Sequence, residues 1–134
     1  MARKNCYTGK WVLKKAEYRA AYYYAMRYND LKEELKDLES VLSGVNMDGM
    51  PHGSTVGQPT EKIAMQCAEI QEKIELIEAL AVEADPGIAK YILKAVTNEG
   101  VTFNQLKTLM DIPCEKDFYY DRRRKFYWLL AHKI

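Results

Sequence analysis

The sequence is poor in the residues on which small secreted and metal-binding proteins depend. Three widely spaced cysteines, Cys6, Cys67 and Cys114, predict neither a disulfide scaffold nor a zinc cluster, so we expect free thiols in a reducing cytoplasm. His52 and His132 have no partner at metal-ligand spacing. The sequence contains no phosphate loop, nucleophile elbow or Ser/His/Asp set. We therefore predict no enzyme, no metal and no cofactor.

Long apolar runs and strand-like alternation are also missing. No stretch of about 18 apolar residues is present, so we expect no membrane span, and the basic N-terminus lacks the apolar region of a secretory signal. No segment alternates apolar and polar residues in the manner of a half-buried strand. Together these absences predict a cytoplasmic, all-α protein.

Charge is distributed unevenly, although the net charge is only +1. Residues 1–29 contain seven cations and a single acid, Glu17, and the segment from Glu115 onward is basic again. Such asymmetry indicates a surface that faces a polyanion.

Two apolar stripes recur at the spacing of a coiled-coil seam, with Glu and Lys on their flanks. They predict helices at about 11–43 and 59–84, which bury each other most simply as a long antiparallel hairpin within residues 1–84. The stripes can also seal a homodimer. The connecting residues 43–59 contain four glycines and two prolines and predict a long loop. The stripes are Tyr24, Tyr28, Leu31, Leu35, Leu38 and Leu42, then Ile63, Cys67, Ile70, Ile74, Ile77 and Ala81.

Residues 85–134 predict three further helices. Asp85 suits an N-cap, and Asn98–Gly100 suits the end of the helix that follows. Thr102 and Gln105 have the spacing of a capping box, whose apolar helix face contains Phe103, Leu106, Leu109 and Met110. After a short turn, the last helix is predicted from about 115 to 132.

A short helix, a turn and a longer basic helix are the layout of a helix-turn-helix. Its second helix enters the DNA major groove and contacts base edges through its N-terminal half. On a helical wheel, the inner arc contains Phe118, Phe126, Leu129 and Leu130, with Tyr119 at its edge. Arg122 projects near the middle of this arc, so we expect it either to snorkel toward solvent or to pair with an acid from another helix. The cationic run 122–125 is also consistent with a solvent-exposed helix face that has no binding function. The predicted outward DNA contacts are Lys116, Asp117, Tyr120, Arg123, Arg124 and Tyr127.

A tyrosine-rich stretch, "EYRAAYYYAMRY" (17–28), has too many aromatic side chains for one seam. We expect it to pack against the C-terminal helices, with Trp128 as a contact; stacking on single-stranded nucleic acid is the alternative.

The C-terminal segment "VTFNQLKTLMDIPCEKDFYYDRRRKFYWLLAHKI" resembles the helix-turn-helix of phage and prophage transcription regulators of Firmicutes, of the RinA and ArpU kind. Their C-terminal part is similar to region four of sigma factors. The loop and helix start "MPHGSTVGQPTE" (50–61) is similar to the same group, and the resemblance covers about residues 20–134. Cys114 departs from the Ser or Thr that often begins the recognition helix of sigma-type motifs.

The resemblance implies sequence-specific binding of double-stranded DNA, with the recognition helix at 115–131 and activation of late phage genes. Because the chain lacks the other regions of a sigma factor, activation would need contact with host RNA polymerase or its sigma factor. Two alternatives remain open. One is a DNA-packaging or recombination accessory similar to small terminase subunits, and the other is a polymerase or sigma adaptor that does not bind DNA.

Overall fold

The computed structural model describes the backbone of residues 10–48 and 57–134, and the side chains of residues 10–43 and 60–134. Every regular element in these segments is an α-helix, and none of the described residues lies in a β-strand. The predicted all-α class is therefore confirmed. The described helices are α1 (Lys15–Met26), α2 (Tyr28–Asp48), α3 (Gly57–Ala84), α4 (Ala89–Val96), α5 (Phe103–Met110) and α6 (Lys116–Ala131).

The N-terminal helical region forms two helices instead of the single helix predicted over about 11–43. α1 begins at Lys15, and Glu17 Oε1 accepts a hydrogen bond from the Lys14 backbone N–H at 2.9 Å. The regular pattern is interrupted at Arg27, whose N–H donates to a carbonyl three residues back at 3.2 Å. Such tight turns are frequent at the ends of α-helices, and here the turn separates α1 from α2.

Helices extend into both ends of the glycine-rich segment 43–59, which was predicted to be a loop. α2 continues to Asp48 and α3 begins at Gly57, so helices occupy both ends of the predicted loop. Pro59 is therefore the third residue of α3 rather than the first. A proline is still tolerated there, because the N–H groups of the first helical turn have no partner within the helix. Residues 49–56 lie outside the described residues.

The two predicted apolar stripes coincide with the less exposed sides of α2 and α3. Leu31 of α2 is 2% exposed and Ile70 of α3 is 6% exposed, while the stripe positions closer to the predicted loop are half-buried. Residues Asn29–Leu76 form one compact unit, which we call unit 2. The antiparallel pairing of the two stripes stays a prediction.

The chain turns between α3 and α4 at Asp85. This residue was predicted to cap α4, but α4 begins only at Ala89. Asp85 Oδ1 instead accepts hydrogen bonds from the N–H groups of Gly87 at 2.8 Å and Ile88 at 3.3 Å. An aspartate that binds the backbone two residues ahead stabilises a turn. The carboxylate therefore fixes the turn, and the helix starts after it.

Side-chain hydrogen bonds determine where α4 ends and where α5 begins. Asn98 Nδ2 donates to the Lys94 carbonyl at 2.9 Å, which satisfies a carbonyl group at the C-terminus of α4. Thr102 Oγ1 accepts from the Gln105 N–H, and Gln105 Oε1 accepts from the Thr102 N–H, both at 3.2 Å. The predicted capping box is confirmed. α6 begins at Lys116, one residue after its predicted start.

The other compact unit combines Met1–Tyr28 with Ile77–Ile134, and we call it unit 1. α6 packs against both α1 and α4. The division therefore differs from the predicted boundary between residues 84 and 85, because α1 belongs with the C-terminal helices. The core of unit 1 includes Ala21 and Ala25 from α1, Ile92 and Val96 from α4, and Phe126 and Leu130 from α6.

Candidate nucleic-acid interface

α6 is exposed at its N-terminal end and enclosed toward its C-terminal end. Lys116 and Asp117 in the first turn are exposed, as predicted. Phe126, Tyr127 and Leu130 are at most 1% exposed. Because a groove-binding helix needs solvent-exposed side chains near its N-terminus, only the first turn of α6 meets this requirement.

The outward orientation predicted for Tyr127 was wrong. Its ring lies against two rings of α1, with centroid distances of 5.2 Å to Tyr18 and 6.1 Å to Tyr22. A helical wheel assumes one buried face, whereas α6 is covered by α1 and by α4. The tyrosine-rich stretch was the available signal for the second covering helix. Three other predicted contact residues are half-buried: Tyr120, Arg123 and Arg124.

Two arginines of the cationic run pair with carboxylates of unit 1. Arg122 Nε lies 3.9 Å from Asp85 Oδ2 and 3.6 Å from Asp121 Oδ2, and its guanidinium lies over the Phe118 ring at 5.0 Å. Of the two alternatives expected for Arg122, the structure shows pairing with an acid outside α6, although Asp85 lies in the turn between α3 and α4 and not in another helix. Arg124 Nη2 lies 4.0 Å from Asp121 Oδ1. Much of the positive charge of this run is thus compensated inside the protein.

Arg123 lies among aromatic rings. Its guanidinium carbon is 5.9 Å from the Tyr120 ring centroid and 5.4 Å from that of Tyr127. A cation over the face of an aromatic ring is stabilised more strongly when water is excluded. Burial raises the pKa of Tyr119 to about 12, and it also raises the pKa of Tyr127, although the nearby Arg123 charge opposes both shifts. These hydroxyls therefore stay neutral at physiological pH.

Two tryptophans join the segment before α1 to the end of α6. The rings of Trp11 and Trp128 are 5.4 Å apart, so Trp128 contacts a residue that precedes the tyrosine-rich stretch 17–28, for which its contact was predicted. The ammonium groups of Lys10 and Lys125 lie 4.9 Å and 5.5 Å from the Trp11 ring centroid. Lys125, the last member of the cationic run, is thereby held against an aromatic surface.

Large apolar side chains are exposed on both sides of the turn between α5 and α6. Leu109 is 79%, Met110 37% and Phe118 40% exposed. Phe118 was predicted to pack on the preceding helices, and that prediction was wrong; the apolar face predicted for α5 is buried at Leu106 but exposed at Leu109 and Met110. α5 has only eight residues and is anchored by buried Leu106 and by Phe103, whose ring lies 5.7 Å from a ring of α6. Its last residues extend past this contact into solvent.

Acidic residues are close to Lys116 in the chain at the exposed end of α6. Asp111, Glu115 and Asp117 are all exposed, and Asp111 ends α5 in the left-handed conformation, with φ 53°. Lys107, on α5, is exposed, and its Nζ donates to a carbonyl of the turn at 3.4 Å. This end of α6 therefore has no excess positive charge with which to attract a polyanion.

Cys114 lies just before α6, at the position where sigma-type motifs often have Ser or Thr. The N-cap residue is Glu115, whose side chain makes no capping hydrogen bond, so the start of α6 is not fixed by side-chain capping. Burial and the charge of Asp85 raise the pKa of the Cys114 thiol, while Lys107 opposes the shift. Cys114 is thus a protonated free thiol, and Cys67 is also free.

No group of three or more His, Cys, Asp or Glu side chains in the described part of the chain is arranged to hold a metal ion. His132 Nδ1 lies 2.7 Å from the Trp128 carbonyl, to which it donates, while His52 and Cys6 lie outside the described residues. Within the described ranges, no helix has the length and apolar content needed to cross a lipid bilayer.

Comparison of the chain with protein-family models, with curated proteins and with solved structures finds no match. The resemblance to RinA-type and ArpU-type regulators therefore stays a prediction.

Proposed function

We propose that the protein is a DNA-binding transcription regulator that acts in the cytoplasm of a bacterial host and is phage-derived, as its resemblance implies. The arrangement of α5, the turn at 111–115 and α6 carries the proposal. α5 is fixed by its capping box, and α6 exposes its first turn while Tyr119, Phe126 and Leu130 further along it belong to the core. In helix-turn-helix proteins, too, it is the N-terminal residues of the second helix that contact base edges.

The proposed contacts are fewer than the sequence predicted. Lys116 can donate to a guanine edge, and Asp117 can accept a hydrogen bond from a cytosine amino group. The half-buried Tyr120 can donate its hydroxyl to a phosphate. Arg123 and Arg124 support this surface from within: Arg123 lies over the Tyr120 ring at 5.9 Å, and Arg124 pairs inside the helix.

Selection of binding sites from a randomised duplex library tests this function. We expect the wild type to enrich one sequence motif. Lys116→Ala should weaken binding to that motif by about tenfold, because a good base contact is worth roughly 1–3 kcal/mol. Lys36→Ala, which removes an exposed lysine of unit 2, is the matched control and should retain both motif and affinity. A folded wild-type protein that enriches no motif would remove the proposal.

An adaptor function is the second candidate, and the exposed Leu109, Met110 and Phe118 favour it. Exposed apolar side chains that cluster along the chain are typical of protein contact sites. An adaptor would bind purified host RNA polymerase holoenzyme or sigma factor and would enrich no DNA motif. Leu109→Ser should then abolish the complex, whereas Val82→Ser, at another exposed apolar residue, should preserve it.

A further inference from the structure

The outer face of α1 carries a row of cations with an exposed tyrosine among them. Lys15, Arg19, Tyr23 and Arg27 follow one another at intervals of four residues, and all four are exposed. Residues four apart lie on one side of a helix. Arg27, the C-cap residue, keeps right-handed helical backbone angles (φ −77°, ψ −7°) and so continues the row. We call these four residues the α1 row.

The α1 row faces away from the core of unit 1. Ala21 and Ala25, which are 0% exposed, lie on the opposite side of α1. Ala16 and Ala20 are the remaining exposed residues beside the row, and their small side chains leave the cations accessible. Tyr23, which is 65% exposed, adds a hydroxyl donor to the cations of this face.

Acidic side chains do not neutralise the α1 row. Glu17 is the one acid of α1, and its carboxylate accepts a hydrogen bond from the backbone at the start of the helix. The ion pairs found among the described residues involve Arg122 and Arg124 of α6, and none involves a cation of the row. Positive charge on this face is therefore available to an external anion.

We propose that the α1 row binds the sugar-phosphate backbone of double-stranded DNA without regard to base sequence. The row spans about 18 Å at 1.5 Å per residue, and phosphates follow one another about every 3.4 Å along each strand of a duplex. Arginine, lysine and tyrosine side chains are all donors to phosphate oxygens. The inference rests on the proposed function in taking DNA as the ligand. It places the electrostatic affinity on α1, because the exposed end of α6 has no excess of positive charge.

A lipid surface fits the same face less well. A helix that lies in a membrane interface buries a broad apolar face beside its cations. The outer face of α1 offers two alanines and one tyrosine instead, which is too little apolar surface for that purpose. Binding to anionic lipid vesicles is therefore an alternative outcome of the test.

The test is the salt dependence of binding to a labelled mixed-sequence duplex, measured by fluorescence anisotropy. Each phosphate contact contributes about 0.9 to the slope of log affinity against log salt concentration. Arg19→Gln/Arg27→Gln should lower the slope by nearly 2 and the affinity at about 0.1 M salt by more than tenfold. Tyr23→Ala should weaken binding without changing the slope, because tyrosine carries no charge. Circular dichroism should show the wild-type helix content for each variant.

Lys36→Gln/Lys62→Gln removes the same charge from exposed positions of unit 2 and should leave the slope unchanged. An equal loss of slope in this control, an unchanged slope in the α1 variant, or binding to phosphatidylserine vesicles without binding to the duplex would each overturn the proposal. If the α1 variant lowers the slope but the wild type enriches no motif, the α1 row binds DNA and α6 does not read bases. If the wild type enriches a motif but the α1 variant leaves the slope unchanged, α6 reads bases and the α1 row does not bind DNA.

Discussion

Tyr127 and Arg123 occupy the same enclosed space between α6 and α1. The Tyr127 ring fills the gap beside Tyr18 and Tyr22, and Arg123 lies over its face at 5.4 Å. Lys116, three turns earlier, makes no such contribution to the core, because it is exposed. Substitutions in α6 therefore test stability at the enclosed positions and binding at the exposed ones.

Removing the Tyr127 ring should destabilise the protein without any DNA present. Tyr127→Ala is expected to lower the free energy of unfolding by about 3–5 kcal/mol, as for other large aromatic residues in cores. Tyr127→Phe keeps the volume and should cost less than about 1.5 kcal/mol. Urea unfolding followed by circular dichroism measures both. Similar small losses for the two variants would show that the ring is not part of the core.

Ionisation of Tyr119 should make stability fall in strongly alkaline solution. Its pKa is raised from 10.0 to about 12 in the folded protein, chiefly by burial. The folded state therefore favours the neutral hydroxyl, so this contribution is complete below pH 10 and is lost as the pH rises toward 12. The expected loss is roughly 2 kcal/mol across that interval. Urea unfolding at several pH values should show a smaller loss for Tyr119→Phe, and an identical pH profile would contradict the assignment.

At the level of helices, local hydrogen bonding was predictable and the choice of buried face was not. The Thr102 capping box follows from short-range chemistry that four consecutive residues encode. The burial of Tyr127 and the exposure of Leu109 depend on which other helices cover α6 and α5, and no local pattern records this. Asp85 is an intermediate case. Its side chain was predicted to bind the backbone at the start of α4, but it binds the backbone of the turn that precedes α4.

Loss of the capping box should destabilise unit 1 modestly. Thr102→Ala removes the acceptor for the Gln105 N–H and should cost about 1 kcal/mol in unfolding free energy. Thr102→Ser keeps the hydroxyl and should recover most of that loss. Thermal unfolding of both variants beside the wild type gives the comparison. Equal losses in the two variants would mean that the threonine methyl group, not the hydroxyl, is what matters.

For the whole molecule, residues distant in the chain complete unit 1. The sequence predicted the helical class correctly and placed the helices of the C-terminal segment within a few residues. It also predicted that the tyrosine-rich stretch 17–28 packs against the C-terminal helices, but it still placed this stretch in a separate domain that ends at residue 84, whereas α1 belongs to the same unit as α4 and α6. Packing between remote aromatic helices leaves no periodic signal, since a tyrosine-rich helix fits several partners equally well.

A fragment limited to residues 77–134, which keeps all of unit 1 except its N-terminal part, should therefore not fold by itself. Without α1, the rings of Tyr127 and Trp128 lose their partners Tyr18, Tyr22 and Trp11. We expect a broad, non-cooperative thermal transition and poor dispersion of amide signals in nuclear magnetic resonance spectra. Addition of a peptide of residues 10–28 should restore dispersion. A cooperative transition of the fragment alone would show that α1 is dispensable.

The contacts between α1 and α6 also impose an order on protein synthesis. α1 leaves the ribosome early, but α6 follows every other described helix in the chain. At typical elongation rates, roughly 5–20 seconds pass between the synthesis of Tyr18 and Tyr22 and the synthesis of Tyr127, against which they pack. Unit 2, whose residues are contiguous, can close during this interval. Unit 1 is completed only afterwards, so the nascent chain presents an aromatic surface to chaperones while it is being made.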